Sequence, residues 1–273
     1  MNRRWFLRLH LQTMEFFCLR MYVPSNKPLT PPLPSVNINI NKKCASCHLH
    51  RVFFISDGHL FMKEYPVEYG HIFLVPNAIN RLSSFWDKRM FELITKIASE
   101  VNSAAFRVFF DVGTSIVPNN MLFQACYFAN PLPVESASTV PIHDRKARSG
   151  IHVYETVDYP LKALLLTSNN RNALANVVGE ACLAVHKNNT AHSLMISNNG
   201  RNVFLFPQVK NLVTGCYLSA WECCGYFVYH TKVDFDCASE AEISNRMASF
   251  SFEDGAFEDL KNLCCAFADD LVT

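Results

Sequence analysis

One arrangement of apolar residues occurs twice along this chain, and it restricts the possible folds more than any other feature. Met90, Ile94, Ile97 and Val101 recur at helical spacing, and the strand-like runs FRVFF (106–110) and MLFQACYF (121–128) come after them. In the second half Leu174, Val177, Val178, Ala181 and Val185 trace one face of another helix, followed by SLMI (193–196) and NVFLFP (202–207). A period near 3.6 asks for a helix lying on apolar support, whereas short apolar runs rich in Val, Ile and Phe suit pleated strands. The order predicts two α+β units with largely antiparallel sheets, meeting near the polar stretch HDRKARSG (143–150).

Other elements fit around this frame. RVFFIS (51–56) reads as a strand with a turn at Asp57 and Gly58, and HIFLVP (71–76) as a strand ended by Pro76. Ser84 with Asp87 resembles a capping box at the start of the first helix. GYFVYH (225–230) is a further strand. Ser239 with Glu242 caps a helix bearing Ile243, Met247 and Phe250, and a last helix carries Phe257, Leu260, Cys264 and Phe267. Three regions result. Residues 1–50 form an irregular basic leader with a Pro- and Asn-rich linker (24–43), 51–148 a first half, and 149–273 a second half with C-terminal helices.

Hydrophobic residues make up 49% and charged residues 18%, which places the chain among globular proteins. The net charge of +1 conceals an asymmetry: of 25 basic and 24 acidic residues, eight and one lie in 1–56, so that segment is +7 and the remainder −6. The basic residues are scattered through the leader and form no folded face, which excludes a nucleic-acid role. No apolar run reaches the ~18 residues of a membrane span. The stretch 233–273 holds ten acidic and two basic side chains and reads as the solvated face of amphipathic helices.

Eleven cysteines, an odd number lying mostly in apolar runs, fit a reducing cytoplasm better than a disulfide framework. The basic, apolar opening MNRRWFLRLHLQTMEFFCLRM gives an organelle transit peptide as the alternative. CASCHLH (44–50) contains a Cys-x-x-Cys-His pattern, but four ligands within seven residues do not match two-knuckle zinc spacing, so no metal is assigned.

The run VPNNMLFQACYF (117–128) carries the candidate site. On a strand, Asn120, Leu122, Gln124 and Cys126 share one face, because successive side chains alternate. Cys126 has no His nearby in sequence to activate it and reads as packing.

Four further pieces accompany this run in order: PVEYGHIFLVPNAINRL (66–82), FQACYFANPLPVESAS (123–138), HSLMISNNGRNVFLFPQ (192–208) and AWECCGYFVYHTKVDFDCASEAE (220–242). With them the chain resembles the GDP-hexose phosphorylases, most closely the plant GDP-L-galactose phosphorylases of vitamin C synthesis, in the histidine-triad superfamily. The resemblance implies an α+β fold of duplicated histidine-triad-like (galactose-1-phosphate uridylyltransferase-like) antiparallel sheets with packed helices. It also implies GMP transfer from a GDP-sugar to phosphate through a His-x-His-x-Gln strand, whose second His forms a GMP-histidine intermediate and whose chemistry needs no cofactor.

At those positions this chain has Asn120, Leu122 and Gln124. Leucine has no lone pair, so no catalytic residue is carried over. Gln124, His71, Asp111 and Gly113 are the nucleotide-binding candidates. Asp111 stands where the family has a neutral Asn, which would set a carboxylate against phosphate oxygens unless it is paired or protonated. Tyr226 stands where the plant relatives have His. His192 reads as structural, and Lys162 and Arg171 as surface cations. The expected function is binding of GDP or a GDP-hexose, or of a protein such as an active paralogue. Phosphorylase activity by an altered route is the alternative.

Overall fold

The computed structural model describes residues 19–22, 49–55, 58–63, 67–76, 88–111, 123–142, 150–188, 190–209 and 217–270. Strand β1 (Leu19–Tyr22) lies within the leader expected to be irregular, and a short segment there is therefore extended. Strands β2 (Leu49–Ile55), β3 (Gly58–Lys63) and β4 (Tyr69–Pro76) follow, then helix α1 (Lys88–Val101) and strands β5 (Phe106–Asp111) and β6 (Phe123–Tyr127). The order then repeats with β7 (Ser138–Pro141), β8 (Ile151–Val157), β9 (Leu164–Ser168), α2 (Arg171–Lys187), β10 (Ala191–Ser197) and β11 (Asn202–Gln208). The chain continues through α3 (Ala220–Cys223), β12 (Tyr226–Tyr229), α4 (Lys232–Cys237), α5 (Glu240–Ala248) and α6 (Asp254–Asp270).

Ten of these strands form one antiparallel sheet in the order β2-β3-β4-β6-β5-β10-β11-β9-β8-β7. Read from either edge inward, each half is three strands in sequence, then the last strand, then the one before it. The halves meet where β5 pairs with β10, with Asp111 opposite Ser193 and Val108 opposite Ile196. This is the duplicated antiparallel α+β architecture expected from the sequence. A second sheet pairs β1 with β12 in parallel, Leu19 opposite Tyr226.

Alternation gives the large sheet two apolar faces. Leu74, Val108, Phe110, Phe123, Ala125, Leu194, Ile196, Val203 and Leu205 pack beneath α1, α2 and α6. On α1, Met90, Phe91, Ile94 and Ala98 are buried, with Ile97 and Val101 at the margin. The other face presents Phe109, Cys126, Met195, Phe204 and Phe206 to Trp221, Tyr226, Phe227, Ile243 and Met247 of α3, β12 and α5. Each such side chain removed from water contributes about 1.5–3 kcal/mol.

Local chemistry fixes the ends of the elements. Asn170 caps α2 by accepting from Ala173 N, and Ser219 and Ser239 form capping boxes with Glu222 and Glu242, the last as expected. The expected Ser84–Asp87 start lies outside the described residues. Gly200, at φ 80°, turns β10 into β11 so closely under α1 that a Cβ there would meet Thr95 O at 2.5 Å. Strand β3 and strands β7 to β9 are absent from the sequence-based reading, and residues 143–149, taken as the boundary between halves, lie outside the described residues.

Candidate functional site

The polar residues of the sheet gather on the face opposite α1 and α2. His71 enters from β4, Gln124 from β6 and Asp111 from the last position of β5, while α3 closes over them. Gln124 is opposite Phe73 in one neighbouring strand and Phe109 in the other, so its amide is framed by aromatic rings.

These three side chains form a directed ladder. Gln124 Nε2 donates to Asp111 Oδ2 at 3.1 Å. Gln124 Oε1 lies 3.1 Å from His71 Nε2, and because that oxygen can only accept, this arrangement places the imidazole proton on Nε2. The remaining oxygen of Asp111 accepts the backbone N–H of Ala220, at the start of α3. His71 is buried between aromatic rings, with Phe73 at 5.4 Å and Trp221 at 5.0 Å between centroids. Gln124 alone of the three is partly exposed.

The ladder sits in a low-dielectric setting. Burial is the largest influence on Asp111 and raises its pKa from 3.8 to about 6; the Ala220 N–H and Gln124 oppose that rise, and the Glu222 carboxylate adds to it. Burial likewise pushes the thiols of Cys223 and Cys224 well above their ordinary value, so neither supplies a thiolate at neutral pH. Cys126 is a buried thiol within the apolar cluster on this face, in keeping with a packing role.

Sequence reasoning found this ladder but missed its support. Gln208, buried at the end of β11, donates to Ser193 Oγ at 3.0 Å and Leu218 O at 3.1 Å, and accepts from Leu218 N at 2.9 Å. It ties the segment leading into α3 to the sheet beside Asp111. Trp221 is buried against His71, Phe109, Phe128 and Tyr226. Both residues lie inside the quoted motif pieces, yet nothing in their spacing marks them as neighbours of Gln124.

Other candidates fall elsewhere. His192 lies on the helix-covered face with Leu194, near Phe110, and burial lowers its pKa to about 4, so it is a neutral structural imidazole within β10. Lys162 donates to Phe252 O at 2.7 Å and pairs with Asp254, holding α6 to the β8–β9 turn. Arg171 is an exposed first residue of α2. Tyr226 is fully buried and donates to Glu68. Asn120, Leu122 and Gly113 lie outside the described residues, as do residues 44–48 of the Cys-x-x-Cys-His stretch. Among the described residues no three His, Cys, Asp or Glu side chains cluster to hold a metal, and no helix is long and apolar enough to cross a membrane. A groove of about 290 Å³ between β12, α4 and α5, lined by Phe227, Tyr229, Asp234, Glu242 and Arg246, shares no residue with the ladder.

The chain path matches solved structures of a yeast Ap4A phosphorylase, Apa2. With AMP bound that protein superposes at a TM-score of 0.58 and 10% identity, covering 92% of this chain and 89% of the other. With Ap4A bound the TM-score is 0.57 at 11% identity, covering 92% and 90%. The chain thus shares the fold of that protein, with duplicated antiparallel strands joined in one sheet and packed helices.

Sequence comparison narrows this further. The family model described as "GDPGP1-like, N-terminal domain" matches residues 42–126 and that described as "GDPGP1-like, C-terminal domain" matches 133–271, so the chain belongs to the GDPGP1-like family. GDP-L-galactose phosphorylase 2 of Arabidopsis thaliana is 28% identical over 212 residues, which are 72% of this chain and 49% of that protein. GDP-L-galactose phosphorylase 1 of the same plant is 29% identical over 212 residues, 72% and 48% of the respective lengths. The chain spans about half the length of the curated relatives it matches.

Proposed function

We propose that this chain is a diverged member of the GDP-L-galactose/GDP-D-glucose phosphorylase group that binds a guanine nucleotide or GDP-hexose at Gln124 but is impaired in GMP transfer. The observation that carries this is the motif itself: Asn120-x-Leu122-x-Gln124 where the resemblance calls for His-x-His-x-Gln. An alkyl group cannot attack phosphorus, and loss of a covalent nucleophile costs on the order of 10⁴–10⁶ in rate in triad hydrolases. The hydrogen-bonded ladder around Gln124 supports a retained polar site, because a strand released from ligand binding has no need to hold three buried or half-buried polar groups in register.

The relatives' names support a nucleotide as ligand: GDP-L-galactose in the plant proteins, AMP and Ap4A in the yeast structures. A role beside ascorbate biosynthesis, as a pseudoenzyme acting on an active paralogue, follows from the same reading. The thiols of Cys126, Cys182, Cys223, Cys224 and Cys264, buried in apolar packing, support a reducing compartment such as the cytoplasm.

Two measurements test this. Purified protein incubated with GDP-L-galactose and phosphate is expected to release no GDP above background; turnover abolished by Gln124→Ala would establish an active phosphorylase working by an altered route. GDP is expected to raise the melting temperature, as any ligand specific for the native state does. The absence of a shift at millimolar GDP would remove nucleotide binding and leave a protein-interaction role or none.

A further inference from the structure

We propose that Asp111 sets the charge of the ligand this site accepts: its carboxylate turns phosphate groups away from Gln124, and removal of that charge admits them. The inference rests on the nucleotide-binding reading above and concerns which form of nucleotide the site takes.

Gln124 is the partly exposed member of the ladder and therefore the one a ligand reaches. Its amide nitrogen lies 3.1 Å from Asp111 Oδ2. A ligand oxygen bonded to the same amide comes within two hydrogen-bond lengths, roughly 6 Å, of that carboxylate. At an effective dielectric constant near 20, like charges at such a distance weaken binding by about 10- to 100-fold. A neutral ligand carries no such cost.

Among the described residues, the groups facing Asp111 supply no positive charge to offset its own. From α3 come Glu222, of the same sign, and Cys223, held as a neutral thiol. From β10 comes Ser193, which is uncharged, and from β6 Gln124, with His71 of β4 one step beyond. Arg107 shares the face of β5, but its guanidinium is bound to Glu135 at 3.0 Å and to Ala104 O. The two donors that do reach Asp111, Gln124 Nε2 and Ala220 N, hold it in place without supplying a formal charge. Its raised pKa of about 6 brings the neutral carboxyl within reach of mild acid, so phosphate binding strengthens as pH falls through that value.

Isothermal titration with two probes tests the proposal. GDP-mannose is a GDP-hexose whose diphosphate is esterified at both ends and keeps a constant charge over the range used, while guanosine has no phosphate. At about pH 8 wild-type protein is expected to bind GDP-mannose at least ~10-fold more weakly than at about pH 5. Asp111→Asn is expected to bind it as tightly at the higher pH as wild type does at the lower, so that at the higher pH its affinity for GDP-mannose relative to guanosine rises at least ~10-fold over that of wild type. The variant keeps His71, so any pH dependence left in it belongs to that imidazole.

A folded Asp111→Asn protein that binds guanosine but takes GDP-mannose no more tightly than wild type at the higher pH would overturn the proposal and leave the nucleotide site standing. Binding of neither probe to either protein would overturn both. Should the variant fail to fold, a flat wild-type profile between the two pH values would overturn the proposal alone.

Discussion

The hydroxyl of Tyr226 donates to Glu68 Oε1 at 2.6 Å, joining two buried residues that stand 158 positions apart. Glu68 also supplies the carbonyl that accepts His71 N at 3.3 Å, just as β4 begins. The ring of Tyr226 meets Trp221 and Phe128 edge-on, at 5.6 and 5.0 Å between centroids. One hydrogen bond therefore fastens the α3–β12 segment to the strand that carries His71.

Removing that hydroxyl withdraws a donor from a buried carboxylate while leaving the ring in place. Tyr226→Phe is expected to lower stability by about 1.5–3 kcal/mol, the range for a hydrogen bond to a charged group. Glu68→Gln keeps an acceptor for the phenol and is expected to cost less. Urea unfolding monitored by Trp fluorescence compares the two, and equal losses would show that the carboxylate's charge matters as much as the hydroxyl.

Asp111 makes stability depend on pH in a direction unusual for a carboxylate. Its folded pKa, about 6, lies above the ordinary 3.8, so the native state binds the proton more tightly than the unfolded chain does. Stability tied to this group is fully present below about pH 4 and is lost as pH rises through about 6. Asp111→Asn removes the penalty, so it is expected to match wild type near pH 4 and to exceed it by on the order of 1–3 kcal/mol at pH 7. Denaturant midpoints measured across that range check the sign, and a variant less stable at neutral pH would contradict it.

Arg107 and Glu135 form a different kind of buried pair. Both Nε and Nη2 of Arg107 donate to Glu135 Oε2, at 3.2 and 3.0 Å, and the same oxygen accepts Leu132 N at 2.7 Å. Cutting one partner leaves a charge in a place water barely reaches, with side chains only 6% and 15% exposed. Arg107→Met is expected to destabilise by about 3–5 kcal/mol, and Arg107→Met with Glu135→Leu by less than either change alone implies. A double-mutant cycle in urea measures the coupling.

Much of this fold is legible in the sequence because its helices and inner strands advertise their periods. Leu174, Val177, Val178, Ala181 and Val185 recur as a helix must, and all five are buried in α2. Strand β7 sends the exposed residues of STVP along a sheet edge, and β8 mixes His152, Tyr154 and Glu155 among its apolar positions, so neither shows a clean alternation. Strand β9, LLLTS, is too short to distinguish from a helical turn by period. Within the site, Gln124, His71 and Asp111 were found through a motif and meet in space. Trp221 and Glu68 were not, since a residue that supports another across 150 or more positions leaves no local trace. Gln208, bonded to residues 10 and 15 positions away, sits in an apolar run with no periodic mark. The pairing of Asp111 with Ala220 N, 109 positions away, leaves no local trace either.

The sharpest prediction follows from the proposed loss of the attacking imidazole before Gln124. Asn120→His with Leu122→His restores imidazoles two and four positions before Gln124, the spacing of the motif this stretch resembles. A neutral imidazole at position 122 supplies the lone pair that leucine lacks and makes a covalent GMP adduct chemically possible. The diphosphate must still approach a site that holds the Asp111 carboxylate 3.1 Å from the amide of Gln124. The double variant is therefore expected to accumulate little adduct from GDP-mannose at neutral pH, and the triple variant with Asp111→Asn to accumulate about 10-fold more or beyond. Intact-protein mass spectrometry reads both directly. Equal labelling of the two would remove Asp111 as the barrier, and labelling of neither would show that the pocket around the strand has changed along with its nucleophile.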